Sequence, residues 1–234
     1  MLQHVGAEGS DVERGHNCPS ADRASSAAAN SSTFLMTNVI PQAPRNNEGT
    51  WANFENYLRG LVKNGDELYI VMGSYGNSGT GSKGSAITID SGRVTVPSHV
   101  WKVAVVLSNG TKDLSRITTK TRVIAINTPN INTVSSKWQT HLTSVDAIEA
   151  ATGYDLLSNV SSSIQKVLEA KTDTTSLSPA PVVVDPSQQD TVYRTTTGSK
   201  YHRLGCTYLK SSCIALTRSE AIALGLAPCS VCNP

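Results

Sequence analysis

Three observations on this 234-residue chain predict an α+β fold. Runs rich in β-branched residues follow one another between residues 67 and 126. Helical patterns stand before and after that block instead of alternating with it. A stretch rich in Thr, Ser and Pro around residue 180 separates a short tail from a body large enough for its own core. The expectation is a central antiparallel sheet with helices, plus a small cysteine-rich C-terminal domain.

Taken in order, residues 1–33 read as loop, dominated by Gly, Ser, Asn and Ala, with one short strand running into His16. Ala27-Ala28-Ala29 is too short to fix a helix. Residues 33–36 (TFLM) form an apolar strand candidate ended by Pro41 and Pro44, whose turn delivers Asn46 and Asn47 to a helix start. Over residues 51–63, Trp51, Phe54, Leu58, Leu61 and Val62 share one helical stripe, which predicts a helix with that stripe in the core. Glu55 and Arg59 lie off the stripe; by spacing alone they read as an i,i+4 surface pair worth ~0.3–0.5 kcal/mol. Residues 67–72, 86–89, 101–107 and 121–126 read as strands of one antiparallel sheet, with loops at 73–84 and 108–117. Helical patterns return at 144–151 and 164–170. Residues 171–190 lack periodicity and read as a linker, which gives a body of 1–170 and a tail of 191–234.

Composition limits the function classes only loosely. Hydrophobic residues make up 38% and charged ones 16%, light on charge for a cytosolic protein and more typical of an exported one. The net charge of +2 divides into +4 on residues 191–234, where Arg194, Lys200, Arg203, Lys210 and Arg218 face Glu220 alone, and −2 on the rest. A groove that holds phosphate need be basic only locally, so this balance does not name a partner. No apolar run approaches the ~18 residues of a membrane span, and Met1-Leu2-Gln3-His4 does not open a signal peptide.

The most informative stretch is 14–59. Arg14-Gly15-His16 opens it, Asn47 lies within it, and Glu55 and Arg59 close it on the predicted helix. An imidazole can deprotonate water, a neutral amide oxygen can bind a hard cation, and guanidiniums can hold phosphate oxygens. With the surrounding words RGHNCPSADR, TFLMTNVIPQAPRNNEGTWANFENYLRGLV, ELYIVMG and VPSHVWKVAVVL, the chain resembles the DNA/RNA non-specific endonucleases, a ββα-metal (His-Me finger) family, over roughly residues 10–170. The resemblance implies His16 as general base and Asn47 as ligand of one Mg²⁺, or Mn²⁺, with water completing most of the shell. It implies Glu55 as the carboxylate that orients metal-bound water, and Arg59 and Arg14 as arginines that stabilise charge at phosphorus. Left to spacing alone, Asn47 would be a helix N-cap.

Two departures from the family pattern stand out. Glu13 replaces the usual Asp before Arg-Gly-His, and only 13 residues precede Arg14, where the family carries early strands and a further arginine. The resemblance therefore describes an N-terminally truncated member, with an extracellular or periplasmic location expected from the family.

The tail carries four of the five cysteines. VYRTTTGSKYH reads as a strand or hairpin, and a later helix is signalled by the capping box of Thr217 and Glu220, with Gly225 past its end. His202-x₃-Cys206 and Cys229-x-x-Cys232 supply four candidate ligands for a structural Zn²⁺. This segment resembles the small Ada-like zinc modules appended to some bacterial secreted nucleases. Cys213 could replace His202 in an all-cysteine set, and disulfides are the competing reading. Cys18 reads as a free or buried thiol.

The function expected from these features is metal-dependent hydrolysis of phosphodiesters in both DNA and RNA, leaving 5′ phosphates, because such a site addresses phosphate and cation geometry and not base edges or the 2′-OH. The alternative is an inactive nuclease fold retained as a nucleic-acid or surface binding module.

Overall fold

The computed structural model describes residues 11–175, 191–209 and 212–232. It divides into two compact units, Met1–Val182 and Val183–Pro234. No helix among the described residues is long and apolar enough to cross a membrane.

The first unit opens with β1 (Glu13–His16), which reaches α1 (Ala27–Ser32) and then pairs antiparallel with β2 (Val39–Gln42), His16 opposite Val39 and Glu13 opposite Gln42. The predicted strand at 33–36 is not there: Phe34, Leu35 and Met36 are exposed and lead into a 3₁₀ turn, and the strand forms one step later. Pro41 does not stop it, because in a two-stranded ribbon a missing N–H can face away from the partner. The alanine run, expected as loop, is helical because Ser26 caps it, its Oγ accepting from the Ala29 N–H at 3.1 Å.

A π-helical turn over Asn46–Trp51 then runs without a break into α2 (Ala52–Lys63). Trp51, Phe54, Leu58 and Leu61 are buried as the periodicity predicts, each worth roughly 1.5–3 kcal/mol of burial, while Val62 is 51% exposed and leaves the stripe.

The sheet follows as β3 (Asp66–Tyr75), two small hairpins β4 (Gly79–Gly81) with β5 (Gly84–Ala86) and β6 (Thr88–Ile89) with β7 (Val94–Thr95), then β8 (His99–Ser108), α3 (Asp113–Arg116), β9 (Arg122–Pro129) and β10 (Leu142–Thr143). Four strands form the central antiparallel sheet in the order β10-β9-β8-β3. Residues 86–89, expected as one of its strands, belong instead to the separate hairpins. α4 (Val145–Thr152) and α5 (Ser162–Glu169) complete the unit.

Alternation along β8 and β9 sends Val100, Ala104, Ile124 and Ile126 to the α2 side, and Trp101, Val103, Val105, Val123 and Ala125 to the side that packs Val145, Ile148 and Leu168 of α4 and α5. A sheet covered on both faces accounts for the almost uninterrupted apolar run of β8. Part of the predicted linker is bonded to this unit: Lys171 Nζ donates to the Thr119 carbonyl at 3.0 Å and Asp173 pairs with Arg122 at 2.9 Å. Residues 176–190, the rest of that linker, lie outside the described residues.

The second unit is a sheet in the order β13-β11-β12-β14, from β11 (Thr191–Arg194), β12 (Lys200–His202), β13 (Ile214–Thr217) and β14 (Ala227–Pro228), with α6 (Arg218–Ala223) after β13. Among the described residues its apolar core consists of Val192, Tyr201 and Ala221, with Leu216 and Leu226 beside them. Gly225 follows α6 in the left-handed region at φ +72°.

Candidate active site and candidate metal centre

β1 carries the Arg-Gly-His triplet, and its glycine is demanded by packing: a Cβ on Gly15 would lie 2.0 Å from Gln42 Oε1 on the paired strand. Arg14 points to solvent and His16 is half-buried at the strand end. The backbone around His16 is held from three sides. Trp51 Nε1 donates to the His16 carbonyl at 3.2 Å, Lys102 Nζ to the Asn17 carbonyl at 3.3 Å, and Asn38 both donates to the Cys18 carbonyl at 2.8 Å and accepts from its N–H at 2.9 Å. The ring of Phe34 meets the imidazole edge-on at 5.0 Å. His16 Nε2 is buried without a partner, and burial pulls the imidazole pKa below 6.5, favouring the neutral ring.

The turn before α2 is fixed by buried asparagines. Asn130 Oδ1 accepts from the Ala43 N–H at 2.7 Å, its Nδ2 donates to the Pro41 and Pro97 carbonyls, and Asn46 Nδ2 donates to Thr128 Oγ1 at 3.2 Å. Asn47 thereby arrives opposite β1, where its Nδ2 donates to Glu13 Oε2 at 2.8 Å. The N-cap reading of Asn47 fails: Asn47 lies inside the π-helical turn, whose first flanking residue is Arg45, and its side chain caps nothing. The acceptor-only carboxylate of the buried Glu13 takes the amide NH₂, which leaves Asn47 Oδ1 turned away from it with no protein partner among the described residues. An oriented, unengaged neutral oxygen suits a hard cation.

Glu55 is 9% exposed and pairs with Lys102 of β8 at 3.1 Å, not with Arg59. The surface pair expected from i,i+4 spacing is absent because Glu55 faces the sheet. Burial pushes its carboxyl up and the Lys102 ammonium down, while their mutual attraction opposes both shifts. Lys102 also lies 4.4 Å from the centroid of the Trp51 ring. Arg59 instead binds Asp22 Oδ1 at 2.8 Å and Asn56 Oδ1 at 2.7 Å.

Glu13 and Asn47 are therefore joined directly, and Glu55 is linked through Lys102 to the residue after His16. No hydrogen bond among the described residues joins His16 to Asn47, Glu55 or Arg59. Sequence reasoning missed Lys102, Asp22 and Asn38. Lys102 alone left a signal, as the single charge inside the apolar run VWKVAVVL.

The chain that folds this way matches the DNA/RNA non-specific endonuclease family model over residues 3–163. The chain belongs to that family. A nuclease of Nostoc sp. (strain PCC 7120 / SAG 25.82 / UTEX 2576) is 48% identical over 165 residues, 70% of this chain and 57% of its own. The mitochondrial nuclease EXOG of Xenopus laevis is 34% identical over 108 residues, 44% of this chain and 30% of its own. A crystal structure of an EndoG/EndoGI complex aligns at TM-score 0.49 and 21% identity, over 64% of this chain and 60% of that one, too loosely to carry an argument. The chain thus spans little more than half the length of the Nostoc relative and less than a third of the Xenopus one.

In the second unit, β12 ends at His202, and the turn after it returns Cys206 beneath it, Nδ1 to Sγ 3.3 Å. β14 leads to Cys229 and Cys232, and one ligand atom from each of the four residues lies within 4.8 Å of the others. All five cysteines are free, and Cys213 is exposed and outside the group. Backbone N–H groups of Cys232 and Val231 donate to Cys229 and pull its thiol pKa down; the Arg203 N–H donates to Cys232 Sγ at 3.4 Å, but burial outweighs it and pushes that thiol up. Such N–H···S bonds favour thiolates, the form a metal requires. Three thiolates and an imidazole fit the tetrahedral preference of zinc.

Proposed function

We propose that this chain is a metal-dependent, sugar-non-specific endonuclease that hydrolyses DNA and RNA phosphodiesters to 5′-phosphate products. The observation that carries the reading is the Glu13–Asn47 bond, which fixes a neutral amide oxygen beside the strand that ends in His16. His16 acts as general base through Nδ1, since Nε2 is buried, and takes the proton of the attacking water. Arg14, free in solvent, and Arg59, held by Asp22 and Asn56, receive phosphate oxygens. Glu55 keeps one oxygen on Lys102, and its other oxygen would orient water beside the cation that Asn47 would hold. Asn47 Oδ1 would hold Mg²⁺ or Mn²⁺, which supplies charge neutralisation at the phosphate and the leaving oxygen. None of these groups contacts a base edge or a 2′-OH in the mechanism, hence the breadth of substrate. We also propose that the chain is exported, to an extracellular or periplasmic location.

The test is incubation of the full chain with supercoiled plasmid and with single-stranded RNA, with and without Mg²⁺. Nicking and RNA cleavage that require the cation support the reading; binding of both nucleic acids without cleavage would leave an inactive binding module instead. We propose further that His202, Cys206, Cys229 and Cys232 hold one Zn²⁺. Native mass spectrometry of the full chain should show one bound zinc, and a mass lowered by two hydrogens per bridge with no metal would establish disulfides.

A further inference from the structure

α4 and α5 pack side by side over the sheet and bring together three carboxylates that the nuclease mechanism does not use. One oxygen from each of Asp146, Glu149 and Glu169 lies within 4.8 Å of the other two. None of the three takes part in an ion pair among the described residues, and Asp155 adds a further negative charge acting on Glu169. Exposed acids can gather in this way without consequence, but Glu169 is not exposed. It retains 6% of its surface, and its Oε1 is buried with no hydrogen-bond partner. The neutral Gln165 amide donates to the Glu169 carboxyl, but Oε1 itself has no donor beside two more carboxylates, and no ion pair among the described residues offsets its desolvation.

We infer that Asp146, Glu149 and Glu169 form a calcium site that ties α4 to α5, separate from the candidate nuclease centre. Three carboxylates offer the charged, all-oxygen set from which Ca²⁺ builds its shell, whereas Mg²⁺ is usually held through one or two carboxylates together with substrate phosphates. Calcium also accepts the irregular shell that two short helices offer, with water on the side where Asp146 is exposed. Glu149 is pre-set for this role, because its Oε1 accepts from the Leu156 N–H at 2.7 Å, fixing the carboxylate at the start of the α4–α5 connection. Bound calcium would brace the helix pair whose Val145, Ile148 and Leu168 close one face of the core.

The experiment is a thermal melt of the full chain, freed of calcium on a chelating resin with its zinc restored, in the presence of CaCl₂ or MgCl₂, for the wild type and the variants Glu169→Gln, Asp146→Asn and Asn47→Ala. The expected result is a rise in the nuclease-unit Tm of several degrees with calcium and a much smaller one with magnesium, lost in Glu169→Gln and reduced in Asp146→Asn, but kept in Asn47→Ala. Asp146 is exposed, so its variant reports even if Glu169→Gln misfolds. No calcium shift in the wild type would overturn the site, as would a shift that survives both acidic variants. A shift lost only in Asn47→Ala would place the cation at the nuclease centre and equally overturn it. The readout is stability, so it stands whether or not the chain cleaves nucleic acid.

Discussion

Among single residues, His16 should matter most for cleavage. His16→Ala should abolish plasmid nicking while leaving the melting temperature within a degree or two, because the ring's one close aromatic contact is the exposed Phe34; more than a tenth of wild-type cleavage would remove it as general base. Burial lowers its pKa, so the sign of the pH dependence is set. Only the neutral ring accepts a proton, and kcat/KM should rise with pH along an acid limb whose midpoint lies below the unperturbed 6.5. For stability, the unfolded chain binds more protons than the folded one between 6.5 and the lower folded value. The His16 contribution is therefore complete above 6.5 and declines as the pH falls through that window. A limb centred above 6.5 would contradict the assignment. The buried Glu55–Lys102 pair gives a separate prediction: Lys102→Met strands a carboxylate in the core and should cost about 3–5 kcal/mol in denaturant unfolding, with much of that recovered in the double variant Glu55→Gln/Lys102→Met. Full additivity of the two single changes would show that the pair is not coupled.

At the scale of elements, how much could be read from sequence depended on whether periodicity or context decided the outcome. α2 was legible because Trp51, Phe54, Leu58 and Leu61 repeat at helical spacing, and β8 and β9 because β-branched runs bounded by turn residues have few other solutions. β2 was not, since the pull of TFLM towards a strand ignored what would cover it, and Phe34, Leu35 and Met36 stay exposed. The orientation of Glu55 was equally hidden: whether a helix residue beside the stripe meets water or a lysine depends on the strand that packs there. Gly15 shows the same logic in reverse, because its need is visible only once Gln42 is placed. Gly15→Ala should lower stability by roughly 1–3 kcal/mol through overpacking, and trimming Gln42 to Ala alongside should recover part of it; unchanged stability in Gly15→Ala would mean that the hairpin yields easily. The Arg-Gly-His and Asn47 residues were found through their sequence context, whereas the bond that orients Asn47 needed the fold.

At the scale of the whole molecule, the two units have unequal means of holding together. The first has a sheet covered on both faces; the second has, among the described residues, the small cluster of Val192, Tyr201 and Ala221 and a group of three cysteines and one histidine. Chelating zinc from the full chain should melt the second unit while the first keeps its own transition, followed by far-UV circular dichroism against temperature. A single transition unaffected by the chelator would show that the cluster needs no metal. In the first unit, a magnesium titration of supercoiled-plasmid nicking by the wild type and Asn47→Ala, at equal and verified fold, shows whether the Asn47 amide oxygen holds the cation that cleavage needs. The expected result is cleavage that is absent without the cation and saturates with it in the wild type, and a variant that turns over far more slowly and needs far more magnesium. An unchanged titration in Asn47→Ala, or nicking by the wild type that ignores the cation, would contradict it.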